Sequence, residues 1–224
     1  MRTDPPLHSA ALRSPACSRA SLLSRALFHC LARTLPLALL FVLCTGTVAL
    51  AHSPIFLRPG QEAAPITDAE KSWAIYGRLA PGTAYDTIPV DAREGEKLKL
   101  QLLVPKREDL AQYRPRVVLV GPGLSGTLPP GAPVSPGAGE GALVLPEPAA
   151  PSEFYEPFTQ TQYWTYGETA GTFPATGRYR IVVYDPAGKG GAYTVALGER
   201  EDFGPADLVN FPATWLKVKT WFRR

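Results

Sequence analysis

Residues 177–198 read GRYRIVVYDPAGKGGAYTVALG, and this stretch decides the fold class. Gly177–Tyr184 and Gly191–Gly198 are short runs rich in aromatic and β-branched residues, the composition that suits a pleated surface. Between them, Asp185–Gly190 holds Pro and three residues favoured in turns. The spacing predicts two strands joined as a hairpin.

The pattern repeats outward from there. Lys97–Val104, KLKLQLLV, places Leu98, Leu100 and Leu102 on one face and Lys97, Lys99 and Gln101 on the other. Ser72–Leu79 and Tyr85–Val90 alternate in the same way, and Pro89 marks the second as an edge strand or a strand end. Arg116–Val120 reads as a short buried strand, and Ala142–Leu145 as another. Lys106–Tyr113 is charged and suits one helical turn. Gly121–Gly141 is a long Gly- and Pro-rich connection, the kind of loop that is usually functional or disordered. With 24 Pro and 20 Gly in 224 residues, a helical bundle is excluded. Strands do not alternate with helices, so a parallel α/β sheet is also excluded. The expectation is an all-β, jelly-roll-like antiparallel β-sandwich over residues 72–207.

The first fifty-one residues have a different character. Arg2, Arg13, Arg19, Arg25 and Arg33 stand against one acid, Asp4, and the apolar run Leu35–Ala51 ends in Ala49-Leu50-Ala51. A basic region, an apolar run and small residues before the junction make a secretory signal peptide over residues 1–51. The alternative is an uncleaved N-terminal anchor. Its removal changes the accounting. The leader carries five of the 23 Lys+Arg and one of the 20 Asp+Glu, leaving the body at a formal charge of −1. No charge argument for nucleic acid remains. Cys17, Cys30 and Cys44 leave too, and with them any disulfide, thiol nucleophile or thiolate metal site. Of the three His, only His52 stays, at the new terminus. That excludes a His-based zinc site and leaves a Ser-His-Asp triad only the chain terminus as its base. Residues 52–71 read as an extended lead-in.

Three stretches carry a family resemblance. They are Tyr85–Val90 followed by Gly95-Glu96-Lys97-Leu98, the segment RVVLVGPG from Arg116, and Gly177–Tyr184 with Gly190–Val195. Their order resembles bacterial pre-peptidase C-terminal domains, which are exported β-sandwiches found beside secreted hydrolases. That family reads "D-Y-Y-x-F", then "x-G-x-x-L-x-L", then "G-x-Y-x-L-x-V" twice. Here Tyr85 and Asp86 stand in reverse order, and Thr87 takes an aromatic position. The resemblance spans residues 72–198 and implies a binding or accessory role. It brings no catalytic residues.

Candidate sites follow from residue chemistry. Phe154–Tyr166, FYEPFTQTQYWTY, is dense in aromatics. Tyr155, Tyr163, Trp164 and Tyr166 suit a stacking platform for sugar rings. The same rings equally suit the core. His52, as a free terminus, offers an amine and an imidazole to copper, with Asp68 or Glu70 as a further ligand. Glu153 with Glu156, or Glu140 with Glu147, would serve a glycosidase only at the right separation. Asp185 suits an Asx turn, with a calcium site as the alternative. Gly121–Gly126 lacks the Lys-Ser/Thr ending of a phosphate loop and reads as a turn. The basic amphipathic segment 208–224 places Trp215, Val218 and Phe222 at helical spacing. Trp215, Trp221 and Phe222 suit a membrane interface, and docking on the sandwich is the alternative. No cofactor is implied. The sequence points to an exported, periplasmic or extracellular, non-catalytic module recognising a glycan or an envelope protein.

Overall fold

A computed structural model describes residues 52–58, 63–82, 84–157, 159–202 and 204–222, all within the second of two units of the chain, Ala49–Arg224. The signal-peptide expectation for residues 1–51 lies outside the described residues. Among the described residues, ten strands and one helix follow in order. The strands are β1 (Ser53–Phe56), β2 (Trp73–Leu79), β3 (Tyr85–Ala92), β4 (Lys97–Pro105), β5 (Arg116–Pro122), β6 (Glu140–Val144), β7 (Ser152–Glu156), β8 (Thr161–Thr172), β9 (Gly177–Tyr184) and β10 (Gly191–Leu197), and the helix is α1 (Pro205–Trp221). A single 3-10 turn, Glu108–Leu110, sits where the charged segment after β4 suggests one.

The strands form two sheets. A six-stranded sheet has the order β1-β2-β10-β4-β8-β7, and a four-stranded sheet has the order β3-β9-β5-β6. All strand pairs are antiparallel except β1 with β2. The fold is therefore the all-β sandwich that the alternation implies. Leu98, Leu100 and Leu102 point inward from β4, and Ile181 and Val183 face them from β9; all are essentially inaccessible.

Two expectations change. Gly177–Tyr184 and Gly191–Leu197 are not a hairpin: β9 pairs with β3 and β5 in one sheet, while β10 pairs with β2 and β4 in the other. Asp185 anchors the crossing, accepting from the backbone N–H of Ala187, Lys189 and Gly190. This is the Asx turn, but one that arches between sheets. With three N–H donors aimed at it, the carboxylate is matched to its own loop and not to calcium. Described residues of the extended lead-in 52–71 join the sheets. Residues 53–56 form β1, and Ile66 bridges the edge of β3 through Val90. Finally, the long Gly/Pro loop is a cover. Leu128, Ala132 and Val134 pack over Val118, Val120 and Val182 on the outer face of the smaller sheet.

The two tyrosines of the repeated Gly-x-Tyr pattern are both fully buried. Tyr193 lies opposite Gly77 of β2, and a Cβ on that glycine would sit 2.2 Å from the ring. Tyr179 overlies Gly121 of β5 at the same 2.2 Å. Each glycine supplies the space its neighbour's ring fills.

Candidate ligand groove

The outer face of the six-stranded sheet is built by strand alternation. Ala74 and Tyr76 from β2, Thr194 and Ala196 from β10, and Gln101 and Leu103 from β4 align across the registers. These are small, apolar or uncharged residues, unsuited to bulk water as a group. α1 lies over them. Val218 and Phe222 are buried, and Phe222 meets Tyr76 and Tyr163 with ring centroids 5.6 and 6.0 Å away. Trp221 packs against Phe56 at 5.2 Å. The guanidinium groups of Arg78 and Arg107 donate to the backbone carbonyls of Trp221 and Phe222, so two cations hold the carbonyl end of the helix.

Between α1 and the sheet is a groove of about 650 Å³. Thr214 and Val218, one helical turn apart, form its roof. One end is aromatic and aliphatic, with Tyr76, Leu103, Tyr163 and Phe154. The other opens among Lys97, Lys99, Glu70, Glu199, Arg200 and Glu201. Glu199 is shared by both lysines, at 3.7 Å from Lys97 and 3.3 Å from Lys99. At the aromatic end, Thr194 is buried in register with Tyr76 and Leu103, and its Oγ1 neighbours the Tyr163 hydroxyl.

The electrostatics of the aromatic end are set by burial. Burial, then the neighbouring Tyr163 phenol and Glu156 carboxylate, hold the Tyr76 phenol well above its ordinary range. Burial likewise pushes the Tyr163 phenol up. Both stay neutral at physiological pH. They offer ring surface and hydroxyl groups, not bases or nucleophiles.

The proposed aromatic platform is not assembled. Tyr163 and Trp164 are neighbours on one strand, so their side chains leave opposite faces of the sheet. Tyr163 pairs with Phe154 on the outer face and is 2% exposed. Trp164 and Tyr155 share the inner side, with Trp164 partly buried and Tyr155 51% exposed. Tyr166 is the residue left out where the β4–β8 register shifts, and it is buried under the Arg114 guanidinium at 4.9 Å. Neither Tyr163 nor Tyr166 presents an open ring face to a sugar.

The membrane-interface residues are corrected in the same way. Phe222 is 8% exposed, Trp221 is partly buried, and Trp215 is partly buried beneath the Lys219 ammonium at 5.7 Å. The helical spacing predicted for them is real, but its apolar face is turned to the sheet. Among the described residues, no helix is long and apolar enough to cross a membrane.

His52 lines the charged end of the groove. Its expected carboxylate partners are otherwise engaged. Asp68 accepts from the Lys71 backbone and Arg200, and Glu70 accepts from the Lys97 backbone and Arg200. Among the described residues no three His, Cys, Asp or Glu side chains cluster as a metal site would require. The glycosidase pairs are also separated. Glu153 is paired with Lys106 at 2.6 Å, and Glu156 accepts from Thr159 on the opposite face of β7. Glu140 is held by Arg180 at 2.5 Å, and Glu147 by Arg116 at 2.8 Å.

Sequence reasoning missed Tyr76, Thr194 and Ala196 as a site. A signal was present: these strands carry uncharged residues on both faces, so something besides solvent had to cover the second one.

No family model and no curated protein matches this chain. Solved structures resemble it in outline. The Salmonella Typhimurium PliG structure, a periplasmic inhibitor of g-type lysozyme, has 16% identity and a TM-score of 0.33, covering 66% of this chain and 98% of its own. Aeromonas hydrophila PliG has 16% identity and a TM-score of 0.30, covering 65% and 95%. The Methylococcus capsulatus secreted protein MopE, described with copper binding through an oxidised tryptophan, has 11% identity and a TM-score of 0.30, covering 67% and 100%. At such scores none of them assigns a function to this chain.

Proposed function

We propose that this chain is an exported, non-catalytic binding module of the cell envelope whose ligand enters the groove beneath α1. The observation that carries this reading is the groove itself. A space of about 650 Å³ falls in the range of small-molecule sites, roughly 300–1,000 Å³, which are mainly apolar with a few placed polar groups. The leader sequence supports export. The ion pairs and hydrogen bonds that engage the candidate acids support binding over acid–base chemistry, as do the phenols held neutral by burial.

The occupant is a molecule, or a short segment of an envelope partner, narrow enough to pass under a helix. The test is native mass spectrometry of the protein purified from its own envelope fraction, beside Ala196→Trp. A Trp there fills the groove floor without entering the core. The wild type is expected to carry additional mass that Ala196→Trp lacks. Identical bare masses for two folded proteins would overturn the reading.

A further inference from the structure

The groove has two chemically distinct ends, and together they specify a ligand. From Ser72 to Tyr76 is about 13 Å along β2, at roughly 3.3 Å per residue. Over that length the lining passes from charged to apolar. An ion alone would leave the apolar end empty. A polysaccharide would need several exposed ring faces; Tyr76 and Tyr163 have none, which leaves Phe154 as the exposed ring at that end. An elongated molecule with an apolar tail and a polar head uses both ends.

The charges decide the head. Three basic side chains, Lys97, Lys99 and Arg200, and three acids, Glu70, Glu199 and Glu201, line the open end, and His52 adds an imidazole and, as the new terminus, an ammonium group. Glu70 is spent on Arg200 and on the Lys97 backbone. Glu199 lies between the two lysines, so two ammonium groups share one carboxylate. That leaves a local positive surplus on Lys97 and Lys99, while Glu201 adds negative charge at the same mouth. A purely anionic or purely cationic head meets a like charge there, whereas a head bearing both signs is complemented.

We propose that the groove binds a single-chain zwitterionic phospholipid. This rests on the reading of the groove as the ligand site. The acyl chain lies under Val218, over Ala74 and Ala196, and reaches the Tyr76–Tyr163 end. The phosphate faces Lys97 and Lys99, and the cationic part of the head faces Glu201.

The test uses the exported protein and a series with one tail and four heads, all below their micelle concentrations. The probes are dodecylphosphocholine, dodecanoate, dodecyltrimethylammonium and dodecyl maltoside, followed by calorimetry. Dodecylphosphocholine is expected to bind saturably at one site, at least tenfold tighter than the other three. Ala196→Trp abolishes binding. Lys99→Glu reverses the preference towards the cationic head. Circular dichroism confirms that each variant is folded. Head-indifferent binding overturns the proposal, and so does binding that survives Ala196→Trp. If none of the probes binds but additional native mass is still lost in Ala196→Trp, the lipid is wrong and the groove stands. If neither is seen, both fail.

Discussion

Phe222 meets Tyr163 edge to face with 6.0 Å between ring centroids, joining the end of the chain to the outer face of the larger sheet. One contact of this kind accounts for the burial of both Tyr163 and Phe222. It also makes the groove, because a helix pinned at one end by Trp221 and Phe222 leaves space beneath Thr214 and Val218.

Phe222→Ala should therefore release α1 without unfolding the sandwich. Burial of a Phe side chain contributes about 3 kcal/mol in well-packed sites. Hydrogen exchange at the amides of residues 213–221 is expected to accelerate, while β4 and β9 stay protected. Unchanged exchange along α1 would mean that this ring does not hold the helix.

Tyr155 and Tyr163 separate exposure from packing. Tyr155→Ala should change stability by no more than about 0.5 kcal/mol, because its ring is half in solvent. Tyr163→Ala removes a buried ring and should cost about 3 kcal/mol. Urea denaturation of both variants distinguishes this arrangement from a shared binding platform, in which their costs would be alike.

Gly77→Ala tests the space opposite Tyr193. Its Cβ would lie 2.2 Å from the ring, which fills the interior and cannot simply swing aside. The ring must move, and its hydroxyl donates to Asp86 Oδ2 at 2.6 Å. Overpacking of this kind costs about 1–3 kcal/mol. A melting temperature equal to wild type would show that the ring has room the structure does not indicate.

Asp86 predicts a pH dependence of definite sign. Burial raises its carboxyl above the ordinary value, and the Tyr193 hydrogen bond offsets part of that rise. Below the ordinary carboxylate range the residue is protonated in both folded and unfolded chains, and no penalty exists. As pH rises through that range and past the raised value, charging it costs the folded state more than the unfolded one. Asp86→Asn retains an acceptor for Tyr193 and removes the charge. Its melting temperature should exceed wild type at pH 7 and converge with it near pH 3. A constant difference across that range would assign the effect to shape and not to charge.

The legible part of the fold was local. Period-two alternation places Leu98, Leu100 and Leu102 inward, and the structure agrees. Pro89 marks an edge, and β3 is one. The helical spacing of Val218 and Phe222 was also visible, since it needs nothing beyond the chain's own periodicity. The illegible part was pairing. No local pattern distinguishes Gly177–Tyr184 and Gly191–Leu197 as a hairpin from the same strands divided between two sheets, because both present identical alternation. The site shared that difficulty: Tyr155, Tyr163, Trp164 and Tyr166 are close in sequence, but a strand sends adjacent side chains to opposite faces and a bulge sends Tyr166 elsewhere.

By itself, then, the sequence determined an all-β chain, its inward residues and an amphipathic terminal segment with apolar residues at helical spacing, because these depend on dihedral preferences and spacing within one segment. The tertiary structure decided which surface the helix covers and that a groove remains beneath it. Tyr76, Thr194, Leu103 and Val218 come from four separate elements, and only pairing β2 with β10, β10 with β4, and laying α1 across them brings them within reach of one ligand.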